Sequence, residues 1–512
     1  MSRSRIAAAA VALLLVAPWA AWGGEEPLFR ADFESPDALA RWEGAGGERV
    51  EVPGRGHALR VRSADPEGRP VLLTALPAPR MAGELVTLAA TVKAREVTTP
   101  PNSWNGIKVM LMLETDHGRL WPQLRLPHGS FDWRRVERTL RIPMAVKKAT
   151  LVLGLERASG TAWFHGVSLR LARRPPGGRR LERPFKGHGL PRLRGVMHGP
   201  KFEEKNVRDL AAWGANQVRW QLNWTPMKKA EEWARDLDRY DAWLEGALEE
   251  ADRAIEACRR HRILVLLDLH CPPGGRAGGG VCRMFTEERY REKFLALWER
   301  LARRYKGREV IYAYDLVNEP VEPPGGGIVS WPHLATEATR RIRAIDPGKP
   351  VVFEPGPWGS CDGFDQMVPL DLEGVIYSFH MYQPGAFTHQ FRHDEPLVYP
   401  GVISGERWDK ARLRESMMPA IDFQRDFNVH IYVGEFSAIR WAPEGSARRY
   451  LRDCIELFEE QGWDWSYHAF REWHGWSVEH STEKSETEPS PQPTKREELL
   501  REWFARNQRP RF

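Results

Sequence analysis

The chain has 512 residues, of which 42% are hydrophobic and 28% charged, as in folded globular proteins rather than disordered ones. Its length favours two or three domains. The net charge is +6, but basic and acidic residues alternate along the chain without a basic block of the kind that binds nucleic acid. We therefore expect no nucleic-acid partner.

The first 23 residues have the features of a secretory signal peptide. Arg3 and Arg5 precede an apolar run from Ile6 to Val16, and small residues follow up to Gly23. A membrane anchor is the alternative, but the run is shorter than the roughly 20 apolar residues that span a bilayer, and no later segment is apolar enough to insert. The sequence thus predicts a signal peptide at residues 1–23 and a secreted or periplasmic protein.

Residues 25–174 alternate apolar and polar positions in short runs that are separated by turn residues. Runs such as 58–63, 107–115 and 149–156 have the period of a β-strand, and no long helical pattern interrupts them. Many short strands predict an antiparallel, jelly-roll-like β-sandwich domain. The basic, Pro- and Gly-rich segment 175–190 that follows is predicted to be a linker.

From residue 191 to residue 512, apolar strands alternate with amphipathic helices. The predicted strands are 193–198, 216–220, 263–270, 310–319, 350–355, 375–380, 430–436 and 463–470. Eight such strands, mostly followed by helices, predict a (β/α)₈ barrel, so the whole chain is α/β with an all-β domain in front. A doubly wound open sheet is the alternative, but no GxGxxG motif follows the first strand.

Two glutamates stand where strands of this barrel end. Glu319 follows strand four in "YDLVNEP", and Glu435 ends strand seven in "IYVGEF". The carboxyl ends of barrel strands meet at one mouth, and a carboxylate there is unfavourable unless it is paired. Arg219, His270 and Tyr382 at other strand ends each have an ordinary structural explanation when taken singly. It is the combination that indicates a functional site.

Paired carboxylates match the chemistry of glycosidic bond cleavage. One must be protonated in order to donate a proton to the leaving oxygen, and the other must be ionised in order to attack the anomeric carbon or activate water. Arg219 is expected to hold the ionised carboxylate by Coulomb attraction. The sequence therefore predicts a glycosidase.

Six short motifs resemble those of glycoside hydrolase family 5, the cellulase-type retaining hydrolases with a (β/α)₈ fold. They are "RGV", "NQVR", "DLH", "VNEP", "HMY" and "YVGEF", and they follow in the family's order from about residue 190 to the C terminus. The resemblance implies that Glu319 is the acid/base and Glu435 the nucleophile. It also implies that Arg219 orients the nucleophile, Asn318 meets the sugar 2-hydroxyl, His380 tunes the acid/base, Tyr382 hydrogen-bonds the nucleophile and His270 lines the −1 subsite.

The end of strand eight departs from the family pattern. The family commonly has a Trp platform after this strand, whereas this chain reads "WSYHAFREWHGW", with His468 directly after Tyr467. Phe470, Trp473 and Trp476 stay open as the aromatic platform, with Trp473 taken as the substrate-binding candidate.

Two stretches of the front domain, "GSFDWRRVERTLRIP" and "GTAWFHGVSLRL", resemble jelly-roll carbohydrate-binding modules. Trp104 and Trp121 are candidate sugar platforms, and Trp133 and Trp163 are expected in the core. His165 replaces the acid that often supports a structural calcium in such modules, so no metal is expected. A sandwich without a ligand-binding role is the alternative.

The chain has five cysteines, and whether any of them form disulfides depends on the cellular compartment. Cys271 and Cys282 flank the glycine-rich segment "CPPGGRAGGGVC", and they are the disulfide candidates in an oxidising compartment. A zinc site is a poor alternative, because the sequence has no CxxC pair and no HExxH helix. No cofactor is implied.

The predicted function is that of a secreted, monomeric, retaining β-glycoside hydrolase with a β-glycan as its partner and no membrane insertion. Its preferred activity is endo-β-1,4-glucanase. A β-mannanase or an exo-acting β-glycosidase is the alternative, since the segments after strands three and six are long enough to close one end of a cleft. A non-catalytic carbohydrate-binding protein is the alternative of another class, and the presence of both glutamates argues against it.

Overall fold

A computed structural model describes most of the chain, and the residues that it describes are 27–102, 104–172, 180–182, 192–223, 230–324, 326–365, 367–391 and 396–511. The signal peptide predicted at 1–23 and most of the predicted linker lie outside the described residues. The chain forms two compact units. The first contains the described residues up to 112 together with 121–142 and 148–172, and the second contains 113–120, 143–147 and the described residues after 172.

The first unit consists mainly of antiparallel strands in two sheets. Its strands are β1 (Phe29–Ala31), β2 (Glu43–Gly44), β3 (Gly47–Val52), β4 (Gly56–Ser63), β5 (Val71–Leu76), β6 (Leu85–Val97), β7 (Gly106–Thr115, whose end belongs to the second unit), β9 (Gly129–Arg141), β10 (Val146–Glu156) and β11 (Gly160–Leu171), and a one-turn helix, α1 (Ala78–Met81), precedes β6. One sheet has the order β3-β4-β11-β6-β9 with β1 beside β11, and the other has the order β7-β10-β5-β2. The predicted β-sandwich is confirmed.

Alternation of buried residues along β11 explains how this unit builds its core. Ala162 and Phe164 are buried, and after a bulge between His165 and Ser168 the buried positions continue at Val167 and Leu169. The extra residue of a bulge moves the buried face by one position, so both halves of the strand contribute to the same core.

The tryptophans of the first unit follow the same rule. Trp104 and Trp121 are 61% and 55% exposed, as a platform requires. Trp163 lies between the buried residues Ala162 and Phe164, so its ring belongs to the outer face of the sheet and is only half-buried, as is that of Trp133. The expectation that Trp133 and Trp163 belong to the core is therefore wrong.

The second unit is a closed barrel of eight parallel strands. They are β12 (Arg194–His198), β13 (Gln217–Gln221), β14 (Leu264–Asp268), β15 (Ile311–Asp315), β16 (Val351–Phe353), β17 (Val375–Met381), β20 (His430–Phe436) and β21 (Asp464–Tyr467), which pair in this order, with β21 returning to β12. Three further short strands of this unit, β8 (Gly118–Leu120), β19 (Glu406–Trp408) and β18 (Gly401–Ile403), pair antiparallel in this order. All eight predicted barrel strands are confirmed.

Helices follow the barrel strands as the sequence predicts. They are α2 (Glu204–Trp213), α3 (Ala230–Arg235), α4 (Leu237–His261), α5 (Glu288–Tyr305), α6 (Trp331–Ile345), α7 (Gly385–Thr388), α8 (Lys410–Ser416), α9 (Met418–Phe427), α10 (Ser446–Gln461) and α11 (Lys495–Phe504). The longest, α4, begins where the Asp236 side chain accepts hydrogen bonds from the backbone of Asp238 and Arg239. Within the described part of the chain, no helix has both the length and the apolar character that crossing a bilayer requires.

Burial on both faces explains why the barrel strands appear as continuous apolar runs. Every residue of β14 and β15 is buried, because one face lines the barrel and the other packs against helices. Leu264, Leu266, Val352 and Ile376 are among the side chains that fill the lower interior. In β14 and β15 the charged residues, Asp268 and Asp315, stand at the carboxyl ends.

The glycine-rich segment after β14 is fixed without the predicted disulfide. Cys271 and Cys282 are thiols: the Cys271 thiol donates to Asn223 Oδ1 (3.2 Å), and the backbone N–H of Cys282 donates to the carbonyl of Val321 (2.9 Å). A short antiparallel bridge between Arg276 and Cys282 closes the segment instead. The two disulfide candidates are therefore not paired with each other, and backbone hydrogen bonds provide the closure that the spacing suggested.

Candidate active site

The mouth of the barrel, where the strands have their carboxyl ends, collects the residues singled out by the sequence. Seven of them belong to one connected network: Arg219 (β13), His270 (after β14), Asn318 and Glu319 (after β15), His380 (β17), Tyr382 (after β17) and Glu435 (β20). The eighth, Trp473, lies after β21 in a cluster of aromatic rings beside Tyr382.

Arg219 is the centre of the network. Its buried guanidinium donates to Asp315 Oδ2 and Glu435 Oε1 (both 2.8 Å) and to Glu354 Oε1 (3.0 Å), and its Nη2 lies 3.2 Å from Asp268 Oδ1. Burial alone would lower the pKa of Arg219, but the four surrounding carboxyl groups raise it well above its ordinary value. The side chain is therefore a permanent cation.

One carboxyl group in this ring, that of Asp315, has a raised pKa. Burial raises the pKa of Asp315 well above its ordinary value, and the negative charges of Glu354 and Asp268 raise it further against the attraction of Arg219. The raised pKa favours the protonated form of Asp315, and this reduces its competition with the other three carboxyl groups for the positive charge of Arg219.

Glu435 is the most strongly held carboxylate of the mouth. Oε2 accepts a hydrogen bond from Tyr382 Oη (2.9 Å) and lies 3.1 Å from His468 Nδ1 and 3.8 Å from His380 Nδ1. Burial would raise the pKa of Glu435, but His380, His468 and Arg219 together hold it well below its ordinary value. Glu435 therefore remains ionised well into the acid range.

Glu319 has a different environment from Glu435. Its side chain is 24% exposed, and Oε1 accepts a hydrogen bond from His380 Nδ1 (2.8 Å). Its backbone lies in the left-handed region (φ +49°), and its N–H donates to Glu354 Oε2 (2.7 Å). Oxygens of Glu319 and Glu435 lie within 4.8 Å of one another.

Glu354 is a buried member of the site that the sequence analysis missed. Besides Arg219 and the backbone of Glu319, it contacts His380 Nε2 (3.1 Å). Burial opposes the charge of His380, but Glu354 and Glu435 raise the pKa of His380 well above its ordinary value, so the imidazole is protonated. The signal was present, since Glu354 stands between an apolar strand and Pro355 as Glu319 stands before Pro320.

Asn318 and His270 form a hydrogen-bonded pair at the mouth, next to Arg219. Asn318 Oδ1 accepts from Arg219 (3.0 Å), and its amide N–H faces His270 Nε2 (3.3 Å). His270 Nδ1 lies 2.8 Å from Asp268 Oδ2, which fixes the tautomer of the ring. Both amide and imidazole are thus held in one orientation.

An aromatic cluster of Tyr382, Phe391, Trp441, Trp473 and Trp476 adjoins this network. Trp476 stacks on Tyr382 (ring centroids 5.6 Å apart), and Trp473 contacts Trp476 edge-on (5.4 Å) while remaining 40% exposed. Among the three platform candidates, Phe470 is excluded because it is buried against Trp213 and His198. Trp473 is the most exposed of the three.

A second exposed aromatic ring lies across the mouth, after β16. Trp358 is 46% exposed, and the guanidinium of Arg276 lies 5.0 Å from its ring centroid. Arg276 also donates to the carbonyls of Asn318 and Glu319 (both 2.9 Å), so the glycine-rich segment supports the backbone of the Glu319 loop. Trp220 and Trp331 are buried, and Trp224 lies outside the described residues.

Glu319, His380 and Glu435 are also the described residues whose donor atoms lie close enough together to hold a metal ion. The guanidinium of Arg219 at 2.8 Å from Glu435 opposes a cation there by Coulomb repulsion, and His380 is already protonated. The donor set therefore fits proton transfer and charge stabilisation better than it fits a metal.

The fold and the site together define a (β/α)₈ glycoside hydrolase. The family model described as cellulase (glycosyl hydrolase family 5) matches residues 183–473, more than half of the chain. The chain belongs to glycoside hydrolase family 5, and it is a glycosidase.

Curated relatives and solved structures are similar to this chain over the same region. Endoglucanase C of Acetivibrio thermocellus is 27% identical over 295 residues, which are 52% of this chain and 83% of the relative. Cellodextrinase A of Ruminococcus flavefaciens is 23% identical over 268 residues, 51% of this chain and 76% of the relative. A crystal structure described as a glycoside hydrolase has 25% identity and a TM-score of 0.51, covering 61% of this chain and 99% of its own.

Proposed function

We propose that the protein is a secreted, retaining endo-β-1,4-glucanase in which Glu435 is the nucleophile and Glu319 the acid/base. The observation that carries the proposal is the contrast between these two carboxyl groups. Glu435 is buried among Arg219, His380 and His468, whereas Glu319 contacts only one of these cations and is partly exposed. A nucleophile needs the first environment, and a group that exchanges protons with substrate and water needs the second.

The separation of the two carboxyl groups supports a double displacement. Retaining pairs lie about 5–5.5 Å apart, and inverting pairs roughly 6.5–9.5 Å apart, since a water must fit between nucleophile and sugar. Carboxylate oxygens of Glu319 and Glu435 lie within 4.8 Å of one another. In the first step Glu435 attacks the anomeric carbon while Glu319 protonates the leaving oxygen, and in the second Glu319 takes a proton from the water that attacks the glycosyl–enzyme ester.

The surrounding residues have roles that follow from their contacts. Arg219 and Tyr382 each donate to one oxygen of Glu435, so its carboxylate plane is fixed before substrate arrives. Asn318 and His270 present polar groups in a fixed orientation, as recognition of the sugar 2-hydroxyl and of the −1 ring requires. The exposed ring of Trp473 offers a flat apolar face to a sugar ring.

The endo-β-1,4-glucanase assignment rests on two relatives whose names are endoglucanase C and cellodextrinase A. A panel of carboxymethyl cellulose, mannan, xyloglucan and aryl glycosides measures this preference directly. We expect the fastest release of reducing ends, accompanied by a fall in viscosity, on the cellulose derivative. A single short product from every substrate would instead indicate exo action.

The catalytic assignment is tested by removing each carboxylate. We expect Glu435→Gln and Glu319→Gln to lose about 10³-fold or more in kcat on polysaccharide, whereas Glu337→Gln on the outer surface of α6 retains full activity. Glu319→Ala should impair substrates with poor leaving groups more than activated aryl glycosides, and azide should partly restore its turnover. Unchanged hydrolysis by Glu319→Gln and Glu435→Gln would show that the assignment is wrong.

We further propose that residues 1–23 direct secretion and that the front domain binds glycan. The Trp104 carbonyl accepts a hydrogen bond from Gln123 Nε2 (3.1 Å) and another from Lys108 Nζ, so a fixed backbone supports this exposed ring. N-terminal sequencing of protein from the culture medium should begin near residue 24. Trp104→Ala and Trp121→Ala should reduce retention of the full chain on insoluble cellulose without lowering its activity on soluble substrate, and equal retention would contradict a binding role.

A further inference from the structure

His468 lies between two carboxylates at the mouth of the barrel. Its Nδ1 is 3.1 Å from Glu435 Oε2 and its Nε2 is 3.5 Å from Glu472 Oε2, while the ring of Trp476 lies 5.0 Å away. The side chain is only 15% exposed.

The protons of His468 are fixed by its neighbours. Tyr382 Oη donates its single proton to Glu435 Oε2, so at 2.5 Å from His468 Nδ1 it acts as the acceptor. Nδ1 therefore carries a proton that is shared between Tyr382 and Glu435. Burial would lower the pKa of His468, but Glu435 and Glu472 raise it to about 10.

Glu472 is held in place for this role by a residue of the barrel itself. The amide of Gln221, a buried residue of β13, donates to Glu472 Oε1. Of the other titratable groups around the ring, His389 contacts Tyr382 (ring centroids 5.0 Å apart), and burial lowers its pKa, so it adds no competing charge. The imidazolium is thus set against Glu435 before any substrate binds.

We propose that His468 accelerates the second half of the reaction by stabilising the negative charge that returns to Glu435. This inference rests on the proposed function. When the glycosyl–enzyme ester breaks, the bond between the anomeric carbon and the Glu435 oxygen is cleaved and its electron pair returns to the carboxylate. Water attacks the anomeric carbon and gives its proton to Glu319, so charge and atoms balance.

The two half-reactions should respond to His468 in opposite ways. In the first, Glu435 begins as an anion and loses charge, so a cation beside it stabilises the starting state at least as much as the transition state. In the second, Glu435 begins as a neutral ester and gains charge, so the same cation stabilises the transition state selectively. A merely structural histidine would affect both steps alike.

The experiment is pre-steady-state kinetics of His468→Gln with a dinitrophenyl β-cellobioside. We expect the steady-state rate to fall by about 100-fold, the lower end of the effect of removing one donor to a developing anion, while the burst rate changes by less than threefold. A covalent glycosyl adduct on Glu435 should accumulate in mass spectra, and KM should fall with kcat. His468→Lys, which restores a cation, should recover part of the steady-state rate.

Two further variants keep the test decisive. Glu472→Gln leaves the imidazole in place but removes one of its two anions, and it should show the same accumulation in weaker form even if His468→Gln folds poorly. His389→Gln is the matched control, since it replaces a neutral histidine of the same cluster, and it should not accumulate adduct. A burst rate and a steady-state rate that fall in equal proportion would overturn the inference.

The outcome also separates this inference from the proposed function. If the wild-type enzyme forms no adduct on Glu435 with a trapping fluoro-glycoside and Glu435→Gln retains activity, the proposed mechanism fails as a whole. If the wild type forms the adduct but His468→Gln does not accumulate it, only the role of His468 is rejected.

Discussion

The two ends of the barrel hold a buried arginine in opposite ways. At the amino-terminal end, Arg194 makes a two-pronged ion pair with Glu459 (2.7 and 2.8 Å) and donates its remaining bond to Asn507 (3.0 Å). At the carboxyl-terminal end, Arg219 is surrounded by four carboxyl groups. Arg194 thus forms its close ion pair with one carboxylate, whereas Arg219 faces four carboxyl groups, more than one cation can neutralise.

The difference separates a stabilising arrangement from a reactive one. A single well-oriented carboxylate satisfies a buried guanidinium, so the additional acids around Arg219 are unfavourable for folding alone. The raised pKa of Asp315 reduces their excess negative charge, and two imidazolium groups, His380 and His468, balance it. Groups with such strongly displaced pKa values are typical of catalytic sites.

The largest effect is expected from replacing each arginine. Arg219→Met should lower the free energy of unfolding by about 3–5 kcal/mol, because it leaves buried carboxylates without their cation. Arg194→Met should lower it by less, because Arg192 Nη1 remains 3.5 Å from Glu459 Oε2. Only Arg219→Met should also reduce kcat/KM per folded molecule, by about 10²-fold or more, since Glu435 loses a donor. Urea unfolding and kinetics corrected for the folded fraction measure the two effects separately, and an equal kinetic loss in Arg194→Met would contradict the comparison.

Alkaline pH should reduce the stability contributed by ion pairs at the carboxyl-terminal end of the barrel more than that contributed at the amino-terminal end. A folded-state pKa of about 10 for His468, above the ordinary 6.5, means that its ion pairs contribute fully below pH 6.5 and are lost as pH rises towards 10. At the other end, Arg194 and Trp465 lower the pKa of Glu459 against the effect of burial, so that its contribution is lost only as pH falls through the acid range.

The measurement is the free energy of unfolding between pH 6.5 and pH 10. His468→Gln should reduce its downward slope by at most about 1.4 kcal/mol per pH unit, the limit for one proton. Glu459→Gln should leave the alkaline slope as it is in the wild type. Identical alkaline slopes in the wild type and His468→Gln would show that this histidine does not retain its proton in the folded state.

Tryptophans at the two ends provide a smaller contrast. Trp473 is exposed beside the site, whereas Trp503 lies at the other end, with the guanidinium of Arg506 3.8 Å from its ring centroid and that of Arg194 at 6.0 Å. Trp473→Ala should raise KM for cello-oligosaccharides by about 2- to 10-fold, which corresponds to one aromatic contact. Trp503→Ala should leave KM unchanged, and an effect of similar size there would contradict substrate stacking at the mouth.

The sequence predicts the barrel well because its strands are buried on both faces. Runs such as 263–267 and 431–433 are apolar throughout, so their identity does not depend on knowing which face lines the barrel. In the sandwich the alternation predicts strands equally well, but a bulge in β11 and the two faces of each strand decide which tryptophans are buried.

The sequence predicts those site residues that stand at the ends of strands, but not those that loops bring to the site. Glu319 and Glu435 follow from position, and Glu354 was missed although it has the same signal. Arg276 could not have been found, because its contacts with the carbonyls of residues 318 and 319 depend on how a glycine-rich segment folds back. The same segment made Cys271 and Cys282 disulfide candidates, since the spacing between cysteines does not reveal the backbone hydrogen bonds that close the segment instead.

The smallest predicted effect comes from a substitution in the layer of side chains that lies inside the barrel between its two ends. Tyr312 Oη donates to Gln217 Oε1 (3.1 Å), and the amide of Gln217 donates in turn to Ser466 Oγ (2.6 Å), so this layer consists of neutral hydrogen bonds. Tyr312→Phe should lower the free energy of unfolding by about 0.5–1.5 kcal/mol and leave kcat/KM and its pH profile unchanged. Combined with Arg194→Met, its effect should be additive to within about 0.5 kcal/mol, as for independent sites. A changed pH profile in Tyr312→Phe would mean that this layer transmits charge effects between the ends, and the stabilising end of the barrel could then no longer be treated separately from the reactive one.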